Sequence, residues 1–332
     1  MNFLKTFLAG VLAFVVGCFL VCYIGMMLLV SMAGLAGSFE KAVSVPDGSI
    51  LEINLDETIT DSPATNPLAE FDFATMTSRH SLPVLKAMGA IEAAAADSRI
   101  RGIYLRLNGA GGIAGSALME ELRGAIADFR QSGKFVVSYN EVYNQGAYYL
   151  ASVADSVYLH PEGGMDWSGL AFNLTFYKGL LDKLDLHAEV FRPTVCKYKS
   201  AVEPYILDRM SDANRLQMQE LVNSIWGTLV RAVSDARGIS PEELNRMADN
   251  LEVVLPEDAL EKGLVDGLLY EDQMNDVFAS YGLEPDAEGH YSFVTLGDYA
   301  AQTGFGAASS LSQPAVAVVY ADGSIVDGEG YE

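Results

Sequence analysis

The stretch IRGIYLRLNGAGGIAGSALMEELRGAIADFRQSGKFVVSY, residues 100–139, carries three structural signals in succession. Residues 100–107 are rich in β-branched, aromatic and aliphatic side chains, which predicts a strand. A turn made mostly of glycine follows, Asn108-Gly109-Ala110-Gly111-Gly112. Residues 116–130 then show helical periodicity, and residues 135–139 read as a second strand. Strands alternating with helices imply βαβ units and a parallel sheet, so the fold class is α/β.

The same alternation extends in both directions. Upstream, residues 50–55 predict a strand and the Ala-rich residues 82–96 a helix. Downstream, a helix is expected over 147–153, a strand over 157–160, a helix over 174–184 and a strand over 187–191. A long helix follows, with Met218, Leu221, Val222, Ile225, Leu229 and Val233 on one face. Gly238 ends it. Ser240-Pro241-Glu242-Glu243 then reads as a capping box with proline at the first helical position. These elements form one expected domain over residues 41–310.

An internal similarity points to a second domain. GSILEINLDETITD at 48–61 and AVAVVYADGSIVD at 315–327 share an alternating apolar strand, an acidic turn and an Ile-Thr/Val-Asp ending. Residues 311–332 are therefore expected to be the first strand of a second repeat.

Residues 1–40 are expected to form a membrane anchor. No charged side chain lies between Phe7 and Phe39, with Lys5 before the run and Glu40 after it. Crossing a bilayer takes about 20 apolar residues, while a cleaved signal has an apolar run of only about 7–15. The short basic flank predicts a cytoplasmic amino terminus and an outward-facing domain beyond residue 40.

Composition removes several function classes. Twenty-one basic residues against 44 acidic ones leave a formal net charge of −23, which opposes nucleic-acid binding. Three cysteines, Cys18, Cys22 and Cys196, build neither a disulfide framework nor a zinc spacing. His80, His160, His187 and His290 have no metal-ligand spacing either.

Three segments could carry chemistry. The glycine turn at 108–112 could aim backbone N–H groups at a phosphate or an oxyanion, or could simply be a tight turn needing positive φ. Read as Gly109-x-Gly111-x-x-Ala114 it also fits a dinucleotide fingerprint, which would make the chain an oxidoreductase that retains its cofactor. Lys199, in Tyr198-Lys199-Ser200-Ala201-Val202-Glu203-Pro204, could be a general base if burial lowers its pKa, or an ordinary solvated lysine. The strand-to-helix turn Tyr143-Asn144-Gln145-Gly146 could favour an oxyanion, or could be a plain helix start. Gln145 stands where a nucleophile would be wanted, and an amide cannot serve.

At these residues the chain resembles the signal peptide peptidase A family of the long two-repeat type. The similarity runs from the anchor nearly to the end and is most specific at YKSAVEPY (198–205). QGAYYLAS (145–152), the strand with its NGAGG turn, and ALEKGLVD (259–266) support it. The resemblance implies a crotonase/Clp-protease-like spiral of ββα units after the transmembrane helix. It also implies a Ser-Lys dyad in which Lys199 is the general base and the serine belongs to the second repeat. Gln145 then occupies the first-repeat counterpart of the serine. Gly111 and Gly112 match the first-repeat version of the glycine turn whose second-repeat version serves substrate binding, so their expected role here is structural, and Gly146 belongs to an oxyanion-like turn.

Two departures stand out: the sequence stops at Glu332, before any such serine, and the segment 192–197 is longer than the family's R-V-G-T. The implied activity is a membrane-anchored serine endopeptidase degrading remnant signal peptides, with no cofactor. The chain is expected to be inactive by itself and to assemble as a homo-oligomeric ring. The implied setting is a bacterial-type inner (cytoplasmic) membrane, with the soluble domain outside. The alternative is a catalytically incomplete scaffold that pairs with a serine-bearing partner.

Overall fold

A computed structural model of the chain describes residues 2–38, 44–62, 71–72, 77–78, 81–108, 112–113, 115–192, 196–303 and 319–320. The chain divides into two compact units, Met1–Ser44 and Val45–Glu332. The first is the helix α1 (Asn2–Ser38). Its span Lys5–Met27 has 23 residues, a mean hydropathy of 2.6 and no buried residue. At about 1.5 Å per residue it is long enough to cross a hydrocarbon core of about 30 Å, and it fits a single membrane anchor.

The second unit begins with β1 (Ser49–Ile53), β2 (Thr58–Thr60), the short pair β3 (Phe71–Asp72) and β4 (Thr77–Ser78), β5 (Ser81–Pro83) and α2 (Val84–Ala96). It continues through β6 (Ile100–Leu105), β7 (Gly112–Ile113), α3 (Ser116–Arg130), β8 (Phe135–Tyr143), α4 (Gln145–Ala151) and β9 (Ser156–Met165). Then come α5 (Lys178–Lys183), α6 (Glu203–Ile206), α7 (Asp212–Arg237), α8 (Pro241–Asp249) and α9 (Pro256–Glu261). The described body closes with β10 (Gly267–Leu268), α10 (Met274–Ser280), β11 (Phe293–Thr295) and α11 (Leu296–Gln302).

Six strands pair in parallel in the order β10-β9-β8-β6-β1-β11. A smaller parallel sheet has the order β5-β2-β7. Thus β1 and β6 enter the large sheet, β2 and β7 leave for the small one, and α2 and α3 follow each pair. That repetition is the expected ββα spiral.

Central parallel strands are covered on both faces, so their sequences are nearly continuous apolar runs. On one face Ile50, Tyr104, Phe135, Val137 and Tyr139 pack with Met274, Phe278 and Leu283. Elsewhere in the body Ala87, Ala90 and Ile91 of α2 and Leu122, Ile126 and Phe129 of α3 are buried, and the two helices pack together. Gly102 is required by this packing: a Cβ there would lie 2.5 Å from the Phe135 ring.

Several boundaries move for identifiable reasons. The helix expected over 82–96 starts at Val84, because Pro83 still belongs to β5. β8 runs on to Tyr143 past an irregularity between Asn140 and Val142. There Gly163 passes so close to the Glu141 carbonyl that no side chain fits. The helix expected over 147–153 begins at Gln145 because Asn144 caps it, and the strand expected over 157–160 extends to Ser156–Met165.

The helix expected over 174–184 shrinks to α5, and the strand expected over 187–191 does not form. Both segments are largely exposed, and a short helix or a lone strand needs packing or pairing to persist. α7 buries Leu229, Val230 and Val233 but leaves Leu221 and Ile225 exposed, so its expected core face is buried only toward its C-terminal half. Gly238 ends it in the left-handed region (φ 69°), as expected. Ser240 caps α8 by accepting from Glu243 N at 3.2 Å, but the Glu243 carboxylate pairs with Arg246, so the box is half made. The first copy of the internal repeat folds as β1, a turn and β2. The second lies outside the described residues except for Val319 and Tyr320.

Candidate active site

The turn between β8 and α4 is built by polar side chains that satisfy backbone. Asn144 Oδ1 accepts from Ala147 N at 2.8 Å and sets the start of the helix. Gln145 Nε2 donates to Gly169 O at 2.9 Å, and Gly169 N donates to Gln145 Oε1 at 3.0 Å. Both ends of this amide are engaged, so the position where a nucleophile would stand holds a structural clamp. A Cβ on Gly146 would meet Met119 Cε at 3.2 Å, so the first turn of α4 lies close against α3.

Behind the turn, Tyr148 Oη donates to Leu264 O at 2.6 Å and its ring meets Trp167 edge-on at 5.8 Å. Burial pushes the Tyr143 and Tyr148 phenols far above the usual tyrosine range, which keeps both neutral.

Gly112 sits in β7 opposite Thr58 with φ 144°, a conformation that favours glycine. Gly109, Ala110, Gly111 and Ala114 lie outside the described residues, so the fingerprint reading falls there.

Lys199 lies in a turn in which Lys199 N donates to Cys196 O and Glu203 N to Ser200 O, both at 2.9 Å. Its side chain is exposed, and among the described residues the amine has no hydrogen-bond or ion-pair partner. The dry surroundings a neutral lysine needs are therefore not formed by the described residues of this chain. Lys197 instead rests over the Tyr198 ring at 5.2 Å. No hydrogen bond, ion pair or ring contact among the described residues joins this turn to Gly112 or to α4.

Two charged groups stand out that periodicity does not reveal. Arg123 on α3 is buried; it donates to Tyr149 O, to Ser152 Oγ at 2.9 Å and to Ala232 O at 2.9 Å, tying α3, α4 and α7 together. Desolvation lowers its pKa, only partly offset by electrostatic attraction to Tyr149 and Tyr148. Glu203 is also buried, and its carboxylate is taken by Ser211 and Asn214. A helix-surface pattern reads Arg123 as solvated; the signal for Glu203 was Ser211 three residues before Asn214, a cap with a carboxylate within reach. No group of three or more His, Cys, Asp or Glu placed to hold a metal occurs among the described residues.

A model of Peptidase family S49 matches residues 128–281, from the last turn of α3 past α4 and the Lys199 turn to the end of α10. Residues 128–281 are thus similar to a peptidase S49 domain. "Protease 4" of Salmonella typhi is 33% identical over 305 residues, 88% of this chain and 48% of the relative. "Protease 4" of Haemophilus influenzae is 28% identical over 320 residues, 92% of this chain and 51% of the relative. "Serine protease SPPA, chloroplastic" of Arabidopsis thaliana is 30% identical over 181 residues, 54% of this chain and 26% of the relative. The chain thus spans about half the length of the Protease 4 relatives it matches. The S49 family has a ClpP/crotonase-like fold, and the parallel α/β sheet of this chain agrees with it.

Proposed function

We propose that this chain is the lysine-bearing part of a membrane-anchored serine endopeptidase, with Lys199 as general base for a serine supplied by another segment or subunit. The observation that carries the reading is the YKSAVEPY turn, lying inside the S49 match with its backbone held by its own hydrogen bonds. In the mechanism, neutral Lys199 takes the proton of the serine hydroxyl as the oxygen attacks the peptide carbonyl. An acyl-enzyme forms, the proton passes to the leaving amine, and water then releases the acyl group. Backbone N–H groups stabilise the tetrahedral oxyanion. Gly111, Gly112 and Gly146 belong to the first-repeat turns that correspond to that machinery. With Gln145 clamped to Gly169, this repeat offers no hydroxyl at the corresponding position.

The expected substrates are apolar peptides such as signal-peptide remnants, reached from the bilayer by a domain on the outer face of an inner membrane. The exposed apolar side chains between Gly169 and α7 support assembly into a homo-oligomeric ring, which would also cover Lys199. The scaffold reading shares the exposed amine but assigns it no proton transfer.

The test is hydrolysis of an apolar peptide. The 332-residue chain should be inactive, a serine-bearing assembly active, and Lys199→Ala in that assembly inactive. Full activity of Lys199→Ala removes the base reading, and hydrolysis by the chain alone removes the division of the dyad.

A further inference from the structure

The Lys199 side chain is exposed, yet four residues later a carboxylate is buried. Glu203 opens α6 and is only 5% exposed. Its Oε1 accepts from Ser211 Oγ at 2.6 Å, and its Oε2 from Ser211 N at 3.2 Å and Asn214 Nδ2 at 2.9 Å. Ser211 is the N-cap of α7, and its Oγ accepts in turn from Asn214 N at 3.2 Å. The carboxylate therefore sits at the positive end of a 26-residue helix, where negative charge is favoured. Burial disfavours its charged form, but the donors of Ser211 and Asn214, with Arg192 nearby, outweigh this and hold it below the usual carboxylate range.

Backbone bonds connect this anchored point to the lysine. Glu203 N donates to Ser200 O, and Lys199 N closes the preceding turn on Cys196 O. On the far side Leu207 N donates to Glu203 O at 2.8 Å and Tyr177 N to Pro204 O at 2.7 Å. Removing the carboxylate would leave three donors without an acceptor and the turn without its tie to α7.

We propose that Glu203 is a positioning residue for Lys199: it pins the Lys199 turn to the N-cap of α7, so that the amine is presented from a fixed place. This rests on the reading of Lys199 as the base. Hydrogen exchange on the full 332-residue chain tests the pinning directly. Glu203→Ala should speed exchange at the Lys199 and Glu203 amides by about tenfold or more, with β6 and β8 unchanged. Glu203→Gln combined with Asn214→Asp returns the carboxylate–amide bond in exchanged places and keeps an acceptor for Ser211 Oγ, with only Ser211 N losing its acceptor, and should restore most of the protection.

In the serine-bearing assembly, Glu203→Ala should lower kcat by about 100-fold with KM little changed, as expected for a displaced reacting group. The double variant should recover most of that loss, which a loss of general stability would not. If Glu203→Ala disturbs β6 and β8 as well, Glu203→Gln alone against the double variant decides on the same terms. Unchanged exchange at Lys199, or full kcat in Glu203→Ala while Lys199→Ala is dead, overturns the positioning role. An active Lys199→Ala removes the base reading, and the catalytic role of Glu203 with it.

Discussion

In the six-stranded sheet Ile50, Ile103, Val136 and Val157 are completely out of solvent, whereas in the arm between Gly169 and α7 Leu180, Leu184, Leu186 and Phe191 stand more than half exposed. The two regions are similarly apolar, so composition does not separate them. Strands β1, β6 and β8 find partners on both edges and helices on their faces. Among the described residues the arm is held by the Gln145–Gly169 bonds at its start, the Tyr177–Pro204 backbone bond, the Tyr177–Tyr205 stack at 5.8 Å and the Glu203 anchor. The difference teaches which of the described segments bury their own apolar side chains. A neutral lysine requires desolvation, and Lys199 lies in a segment that the described residues leave largely exposed. The proposed chemistry depends on what covers the arm.

That contrast can be broken most severely at Trp167, where the body ends. It is 2% exposed, donates to Leu244 O at 2.9 Å and touches the Tyr148 and Trp226 rings at 5.8 and 5.1 Å. Trp167→Ala should cost ~3–5 kcal/mol in urea unfolding. A cost near zero would mean that the body is not the rigid half. Next in size is the clamp at the seam. Gln145→Ala removes both bonds to Gly169 and should cost ~1–2 kcal/mol by the same measurement, with the arm becoming more sensitive to limited proteolysis.

Asp97 offers a smaller, pH-dependent effect within the body. The Arg99 guanidinium first, then its backbone N–H and Tyr299 Oη, hold this carboxyl well below the usual range. Because the folded-state pKa is depressed, the stabilisation is full above the unfolded value of about 3.9 and is lost as pH falls toward the folded one. Asp97→Asn should therefore be less stable than the parent at pH 7, with the gap closing below about pH 4 in parallel melts. The smallest effect is expected in the arm. Phe191, at 93% exposure, should change the stability of the isolated chain by less than ~0.5 kcal/mol when replaced by alanine. A larger loss would show that the arm is already covered within one chain.

Much of the body was legible from local pattern. Residues 100–139 gave strand, helix and strand in the right order, with the short β7 unread, because buried parallel strands and amphipathic helices leave different periods. Gly238 and Ser240-Pro241 marked ends correctly because caps act on adjacent backbone. The same reasoning gave a strand at 187–191 and a fuller helix at 174–184 that the chain does not form, since β-propensity and apolar content describe what a segment can bury, not whether a neighbour is there to bury it.

The sequence by itself determined the α/β alternation, the apolar anchor-length helix and the motif that singles out Lys199, because each is written in consecutive residues. Only the tertiary structure decided that Gln145 clamps Gly169, that Arg123 is buried across three helices, that Glu203 rather than Lys199 is the desolvated charge, and that the lysine turn faces solvent. Those outcomes depend on contacts between residues far apart in the chain, where burial and hydrogen-bond partners are set by packing and leave no period to read.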